Sequence, residues 1–479
     1  MTEKTEYEIT IGIETHVQLK TKTKLFSEVD NDARGKEPNS CVSPIDYALP
    51  GMLPRLNGEA VKIAVRAGTA MNCKINPRSR FDRKHYFYPD SPKGYQITQF
   101  YSPIIGAGFI TLPSGKKVRI EHAHLEGDAG KLSHFDDYSL VDLNRVDTPL
   151  IEIVSMPDIK SAAEARDYCK ELWRIMTYAD VTEGDLYNGN MRFDVNISLA
   201  PKGSKTLGTR AEIKNLNSFR SIERAVEYEY SRQKKLLDAG EKVIQETRGW
   251  SDATGKTTSQ RSKEEAQDYR YMPEPDLPPL NLSEDFIKTE AKKCPALPAD
   301  YREQFKTSVP AETLEVILDY PELARRLAEV ESAASSGNAV EYTANLFASV
   351  LLAEENQSLL NDNLPSAAQL KELSEMKSKN ELSSTAAKEV FLKLFETKHV
   401  NKSARELAKE LNLIQENDSA ALEKIVDKVL ENPATKSAQA DFKAGKEKVL
   451  GFLVGQVMKE SRGKANPSAV QEILRKKLA

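Results

Sequence analysis

Four separated stretches alternate apolar and polar residues with a period of two, and this pattern constrains the fold more than any other feature of the chain. In ITIGIETHVQL (9–19), Ile9, Ile11, Ile13, Thr15, Val17 and Leu19 fall on one face and Gly12, Glu14, His16 and Gln18 on the other. MRFDVNISL (191–199) sets Met191, Phe193, Val195, Ile197 and Leu199 against Arg192, Asp194, Asn196 and Ser198. TRAEIKNLNSF (209–219) sets Ala211 and Ile213 against Glu212 and Lys214, and in RIEHAHLEGD (119–128) His122, His124 and Glu126 alternate together. Successive side chains of a strand point to opposite faces, so each stretch reads as a half-buried strand. The expectation is a mainly antiparallel sheet with one face on a core.

The polar face carries the chemical information. Any one of these strands fits an ordinary solvated face. Together they offer Glu14, His16, Glu126, Asp194 and Glu212 beside Arg192 and Lys214. Asp, Asn, His and Arg recurring in these registers suit a built site better than a wet surface. Carboxylates with an imidazole can hold a divalent cation; oxygen ligands favour Mg²⁺, and the imidazole leans toward Mn²⁺. Neighbouring Arg and Lys meet the negative charge of a phosphoryl or acyl group. The sequence has no GxxxxGK[ST] loop, no kinase glycine loop with a downstream HRD and no GxSxG elbow, so phosphoryl chemistry here needs a less familiar fold.

The character of the chain changes near residue 293: of 23 glycines, 18 precede that point and 5 follow it. Before it, two helical stretches interrupt the strands. SAAEARDYCKELWRIMTYAD (161–180) has Ser161 placed as an N-cap, and SFRSIERAVEYEYSRQKKLLDAG (218–240) ends at a glycine. RYMPEPDLPPL (270–280) carries Pro273, Pro275, Pro278 and Pro279, which excludes a helix interior or a central strand. Being apolar for a free linker, it is expected to lie against the first domain. Beyond it, Ala, Glu, Lys and Leu recur with helical period. The reading is α+β: a domain over 1–293 that carries the site, an all-α helical region over 294–403 and a basic helical tail over 404–479. From Asp441 to the end, nine Lys and Arg face four acids in a chain of formal net charge −4, a local surface suited to phosphate. Cys41, Cys73, Cys169 and Cys294 are scattered without a CxxC pair, which argues against a disulfide framework or a thiolate zinc site. The N-terminus lacks a signal-peptide core, and VLGFLVGQVM (449–458) is too short to span a bilayer, so a cytoplasmic protein without membrane contact is expected.

Longer motifs add a resemblance. GIETHVQLKTKTKLFS, FDRKHYFYPDSPKGYQITQ, YSLVDLNR with TPLIEIVSMPDI, AEIKNLNSF, RYMPEPDLPPL and GFLVGQVMKESRGKANP are similar to the B subunit of the bacterial-type aspartyl/glutamyl-tRNA amidotransferases, from about residue 8 to the end. The resemblance implies a cradle-shaped catalytic domain followed by helices that grip tRNA. It also implies indirect aminoacylation. ATP activates the side-chain carboxylate of Glu-tRNA(Gln), Asp-tRNA(Asn) or both, and ammonia displaces the phosphate. The ammonia comes from an amidase subunit, the A component of the complex, which a small C component clamps to the B component. The cofactors are ATP with Mg²⁺ or Mn²⁺. Carried over by motif, Glu14, His16 and Glu212 fall at metal-ligand positions with Glu126, and Asp194 joins Glu14, His16 and Glu212 in the catalytic set. Arg192, Lys214 and Asn217 take phosphate and substrate. Lys84, Tyr86, Lys93, Tyr95 and Gln96 line the end of the ammonia channel, and Lys459, Arg462, Lys464, Arg475 and Lys476 meet tRNA.

The resemblance breaks at three places. The family run H-[LM]-E-E-D-A-G-K reads His124-Leu125-Glu126-Gly127-Asp128-Ala129-Gly130-Lys131 here, without its second carboxylate. The family's acidic E-E-G-S reads Tyr187-Asn188-Gly189-Asn190, and Phe193 stands where a cysteine is common. Two functions of different class therefore stay open. One is an ATP-dependent amidotransferase subunit with a rearranged site, in which Gly127→Glu leaves activity similar or raises metal affinity. The other is a tRNA-binding scaffold with little catalysis of its own.

Overall fold

The computed structural model describes residues 5–262, 268–333, 338–361, 363–415, 419–443, 445–461 and 465–478. The chain forms two compact units, Met1–Pro298 and Ala299–Ala479.

The first unit is built on a mainly antiparallel sheet. Its strands are β1 (Tyr7–Gln18), β5 (Gly108–Thr111), β6 (Lys117–Gly127), β9 (Pro149–Ser155), β10 (Met191–Pro201), β11 (Ala211–Leu216), β12 (Glu246–Ser251) and β13 (Lys256–Ser262). Smaller sheets use β2 (Arg78–Ser79), β3 (Asp82–His85), β4 (Tyr95–Thr98), β7 (Lys131–His134), β8 (Ser139–Asp142), β14 (Met272–Pro273) and β15 (Leu280–Asn281). The large sheet runs β13-β12-β11-β10-β1-β9-β6-β5. Its pairings are antiparallel except β11 with β12, which are joined through a helix as a parallel pair requires.

Helices α1 (Gly58–Ala70), α2 (Ala162–Tyr178) and α3 (Phe219–Asp238) pack against the sheet strands and one another. Asn57, Ser161 and Ser218 cap them, each accepting a backbone N–H of the first turn. Gly240, at φ +77°, follows the last turn of α3. Ile11, Ile13, Val17, Val195, Ile197 and Ile213 are buried beneath the sheet, each worth about 1.5–3 kcal/mol of transfer free energy. The alternation therefore sorts apolar residues to this core and leaves Glu14, His16, Arg192, Asp194, Glu212 and Lys214 for the other face.

β6 reaches that arrangement by a bulge. Val118 and Ile120 enter the core; the register then shifts before His122, and Ala123 and Leu125 take their place. Without this extra residue, His122, His124 and Glu126 would continue the core-facing parity of Val118 and Ile120.

The proline-rich stretch lies on the first unit as expected. β14 extends the β3–β4 pair and β15 pairs with β2. Arg83 clasps Glu274 with two bonds of 2.8 and 2.9 Å. Helix α4 (Glu284–Ala291) follows and packs on α1. No disulfide joins the four cysteines.

The second unit is helical, with α5 (Pro298–Gln304) at its start. The helices α6 (Ala311–Ile317), α7 (Pro321–Ala333), α8 (Asn338–Leu346), α9 (Ala367–Ser378), α10 (Ser384–Lys393) and α11 (Ala404–Glu410) follow. Helix α11, placed in the tail by the sequence reading, packs on α9 and α10. A separate core joins α12 (Ser419–Glu431), α13 (Lys436–Lys443), α14 (Leu450–Glu460) and α15 (Pro467–Leu478) through Leu422, Val426, Ala438, Leu453, Val457, Val470 and Leu474. Among the described residues no helix is long and apolar enough to cross a membrane.

Candidate active site

Five adjacent strands, β6, β9, β1, β10 and β11, carry their polar residues side by side. Register fixes the neighbours: His124 lies opposite Glu152, Glu152 opposite His16, His16 opposite Arg192, and Glu14 opposite Asp194. One strand further, Asn196 lies opposite Glu212. The result is a cavity of about 380 Å³ lined by His16, Glu126, Asp128, Glu152, Asp194 and the cations Lys84, Lys93, Arg192 and Lys214.

The acids form two groups. In the first, His16 Nε2 lies 3.6 Å from Glu126 and 3.4 Å from Glu152. His124 Nε2 sits behind them, 3.7 Å from Glu126 and 3.8 Å from Glu152, with His122 stacked on it. In the second group Glu14, Asp194 and Glu212 converge, and Lys214 bridges Asp194 and Glu212 at 3.0 Å each. Within each triad one donor atom per residue lies within 4.8 Å of the others.

The electrostatics follow from this crowding. Burial works to lower the His16 pKa, but the Glu152 hydrogen bond and the Glu126 and Glu152 charges outweigh it and raise it to about 9. Burial works to raise Glu152, yet the His16 bond and the two imidazoles leave it well below the usual carboxylate range. Glu14 is pushed up, first by burial and then by the charges of Glu152 and Glu212. Lys214 is raised because Asp194 and Glu212 overcome its desolvation. Each triad could hold a cation. The donor chemistry fits one: an imidazole with two carboxylates suits Mn²⁺ or Mg²⁺, and three carboxylates suit Mg²⁺.

Comparison with known proteins gives the same chain-long assignment. Residues 9–288 match the family model described as the GatB/GatE catalytic domain, and 328–478 match the GatB domain. A protein of Thermodesulfovibrio yellowstonii, named as the B subunit of an aspartyl/glutamyl-tRNA(Asn/Gln) amidotransferase, is 44% identical, the match covering 98% of each chain. Proteins of the same name are 43% identical in Geobacter sp. (strain M21), over 99% of each chain, and 43% in Halorhodospira halophila, also over 99% of each. The chain belongs to the B-subunit family of the aspartyl/glutamyl-tRNA(Asn/Gln) amidotransferases.

Within this B-subunit fold, the residues singled out from sequence fall in several places. Glu14, Glu212 and Asp194 make one triad, while His16 and Glu126 join a different one. Lys84, Tyr86, Lys93, Tyr95 and Gln96 all line the cavity that holds His16. Asn217 is exposed beyond the end of β11 and does not line it. Lys459 is exposed on α14. Arg475 pairs with Glu447 at 3.0 Å and Lys476 with Glu472 at 2.9 Å; Arg462 and Lys464 lie outside the described residues.

Sequence reasoning passed over Glu152. Its signal was a lone carboxylate inside the apolar strand TPLIEIV. It also passed over Asp147, which pairs with Lys93; Asp128, a candidate to replace the carboxylate missing at Gly127, instead takes Arg145 at 3.1 Å and Arg192 at 3.2 Å.

The three departures are not equivalent in space. Phe193 is fully buried in the core, on the face opposite Arg192 and Asp194. Tyr187 is 92% exposed, and neither it nor Asn188 lines the cavity. Only Gly127 does. A Cβ at that position would stand 2.6 Å from Asp147 Oδ1 and 3.2 Å from Asp147 Cα, so a side chain at 127 meets the Asp147 carboxylate first. Admitting one requires that acid to shift.

Proposed function

We propose that this chain activates the side-chain carboxylate of Glu-tRNA(Gln), Asp-tRNA(Asn) or both with ATP, as the subunit that completes amide formation. The observation that carries the reading is the pair of acidic triads with interleaved cations on one sheet face, in a chain of this family. A carboxylate oxygen of the substrate attacks the γ-phosphorus and ADP leaves. Ammonia then attacks the acyl carbon, phosphate leaves, and the nitrogen gives up one proton. Two anions must approach each other in the first step, and that repulsion is the barrier the site has to lower.

His16, Glu126 and Glu152 would hold one divalent cation, and Glu14, Asp194 and Glu212 a second. Bound cations supply positive charge that screens phosphate from carboxylate. Lys214, set between Asp194 and Glu212, exchanges those carboxylates for a phosphoryl oxygen when a cation takes them. Arg192, already oriented by Asp128, offers a second guanidinium N–H to the same anion. Lys84, Tyr86, Lys93, Tyr95 and Gln96 give the cavity a polar wall suited to ammonia arriving from a partner amidase subunit, and a small third subunit holds the two together. Lys459, Arg475 and Lys476 provide charge for the tRNA backbone.

The scaffold reading rested on lost carboxylates. It is weakened because Tyr187-Asn188 lies off the cavity and because Asp147 supplies an acid beside Gly127. The test is ATP-dependent phosphate release by the chain assembled with its partner subunits, comparing Glu-tRNA(Gln), Asp-tRNA(Asn) and uncharged tRNA. Stimulation by a charged tRNA, abolished in His16→Ala, is expected. Tight tRNA binding without stimulation would leave the scaffold reading standing.

A further inference from the structure

The Asp147 carboxylate fills the space beside Gly127. A Cβ at 127 would stand 2.6 Å from Asp147 Oδ1 and 3.2 Å from Asp147 Cα, with the Phe26 ring at 3.4 Å, so a residue larger than glycine makes the Asp147 carboxylate shift. Asp147 itself sits at φ +59°, in a turn closed by the Thr148 N–H donating to Arg145 O at 3.0 Å. That conformation is strained for a residue with a side chain. Glycine suits this backbone at least as well, so an exchange to glycine removes the side chain without straining the turn.

That side chain has one clear use. Its carboxylate is 6% exposed and ion-paired with Lys93, whose side chain is 8% exposed and whose ammonium stands 5.6 Å from the Phe26 ring centroid. Lys93 shares its cavity with Glu126, Asp128, Glu152 and Asp194. An ammonium that loses its partner in a buried site moves to the nearest available carboxylate, because an unpaired buried charge is strongly disfavoured. Here the carboxylates that share the cavity include Asp128, Glu126 and Glu152 of the first triad, and Asp194, which Lys214 already pairs.

We propose that Asp147 is a positioning residue that holds Lys93 out of the cation site, and that glycine at 127 is the condition for it. The inference rests on the cation role given above to the two triads. Without Asp147, Lys93 competes with a divalent cation for Glu126, Glu152 or Asp194, and the site binds cations less tightly.

The experiment titrates the full chain with Mn²⁺ and follows free Mn²⁺ by electron paramagnetic resonance. Asp147→Gly suits the turn and keeps the fold, and it is expected to weaken Mn²⁺ binding about tenfold or more. Asp147→Gly/Lys93→Met removes the competitor and is expected to restore wild-type affinity. Gly127→Ala, which displaces the carboxylate, should show the same loss and the same rescue by Lys93→Met. A purely structural role for the turn would not be rescued by removing a lysine. Unchanged affinity in Asp147→Gly, or a loss that Lys93→Met fails to reverse, would overturn the inference alone. A wild-type chain that binds no Mn²⁺ would overturn the cation role of the triads, and this inference with it.

Discussion

Cation binding at the first triad should expel a proton from His16. The imidazole is 21% exposed and lies within 3.6 Å of two carboxylates, which raise its pKa to about 9 despite burial. An imidazole coordinates a metal only when neutral. At about pH 7.5 a group of this pKa is neutral in only ~3% of molecules. Affinity at His16, Glu126 and Glu152 is then held about thirtyfold below its high-pH limit. It should climb about tenfold per pH unit between about pH 6.5 and 8.5, and level off above about 9. Calorimetric titration of Mn²⁺ into the full chain, in buffers of different ionisation enthalpy, counts the protons released. About one proton is expected at neutral pH, and His16→Gln should release none from this position. Flat affinity with no proton released would refute the reasoning, because His16 would then be neutral in the free chain.

The same proton stabilises the cation-free fold. A pKa raised from the ordinary value of 6.5 to about 9 contributes stability that is complete below the unfolded value and lost as pH rises through the folded one. The difference amounts to about 3 kcal/mol, present below about pH 6.5 and gone by about 9; urea unfolding of the cation-free chain across this range, beside His16→Gln, measures it. Lys24 and Asp46 form an ion pair of 3.3 Å with both side chains 0% exposed. Lys24→Met leaves Asp46 charged and without that partner, and should cost about 3–5 kcal/mol in urea unfolding of the chain; an unchanged midpoint would show that the pair contributes nothing. In the tail, Lys459→Ala should weaken tRNA binding equally for all tRNAs and lower the slope of log affinity against log salt by about 1. A slope unchanged from wild type would place the tRNA surface elsewhere.

Much of the fold was legible because its signals are local. Strand alternation placed Ile11, Ile13 and Val195 in the core and Glu14, His16 and Asp194 opposite them, as found. Ser161 announced one helix start and Gly240 one helix end, and the prolines of 270–280 excluded a helix interior or central strand, in keeping with the short edge pairings observed. The candidate site was legible only in its residue types. The family resemblance grouped Glu14, His16, Glu212 and Glu126 as one ligand set; the fold puts His16 with Glu126 and Glu152, and Glu14 and Glu212 with Asp194. That partition comes from the order in which strands lie, with β9 inserted between β6 and β1.

The sequence by itself determined which side chains could share a face, since that depends only on the two-residue period of each strand and the capping of each helix. It also determined the family, through motifs distributed along the whole chain. The tertiary structure alone decided which of those side chains meet. Glu152 reaches His16 through a pairing between residues far apart in the chain, and a bulge in β6 turns His124 and Glu126 to the site. Asp147 fills the space beside Gly127 because a turn brings it there. Contacts of this kind depend on strand order, register and local crowding, which no short-range pattern encodes.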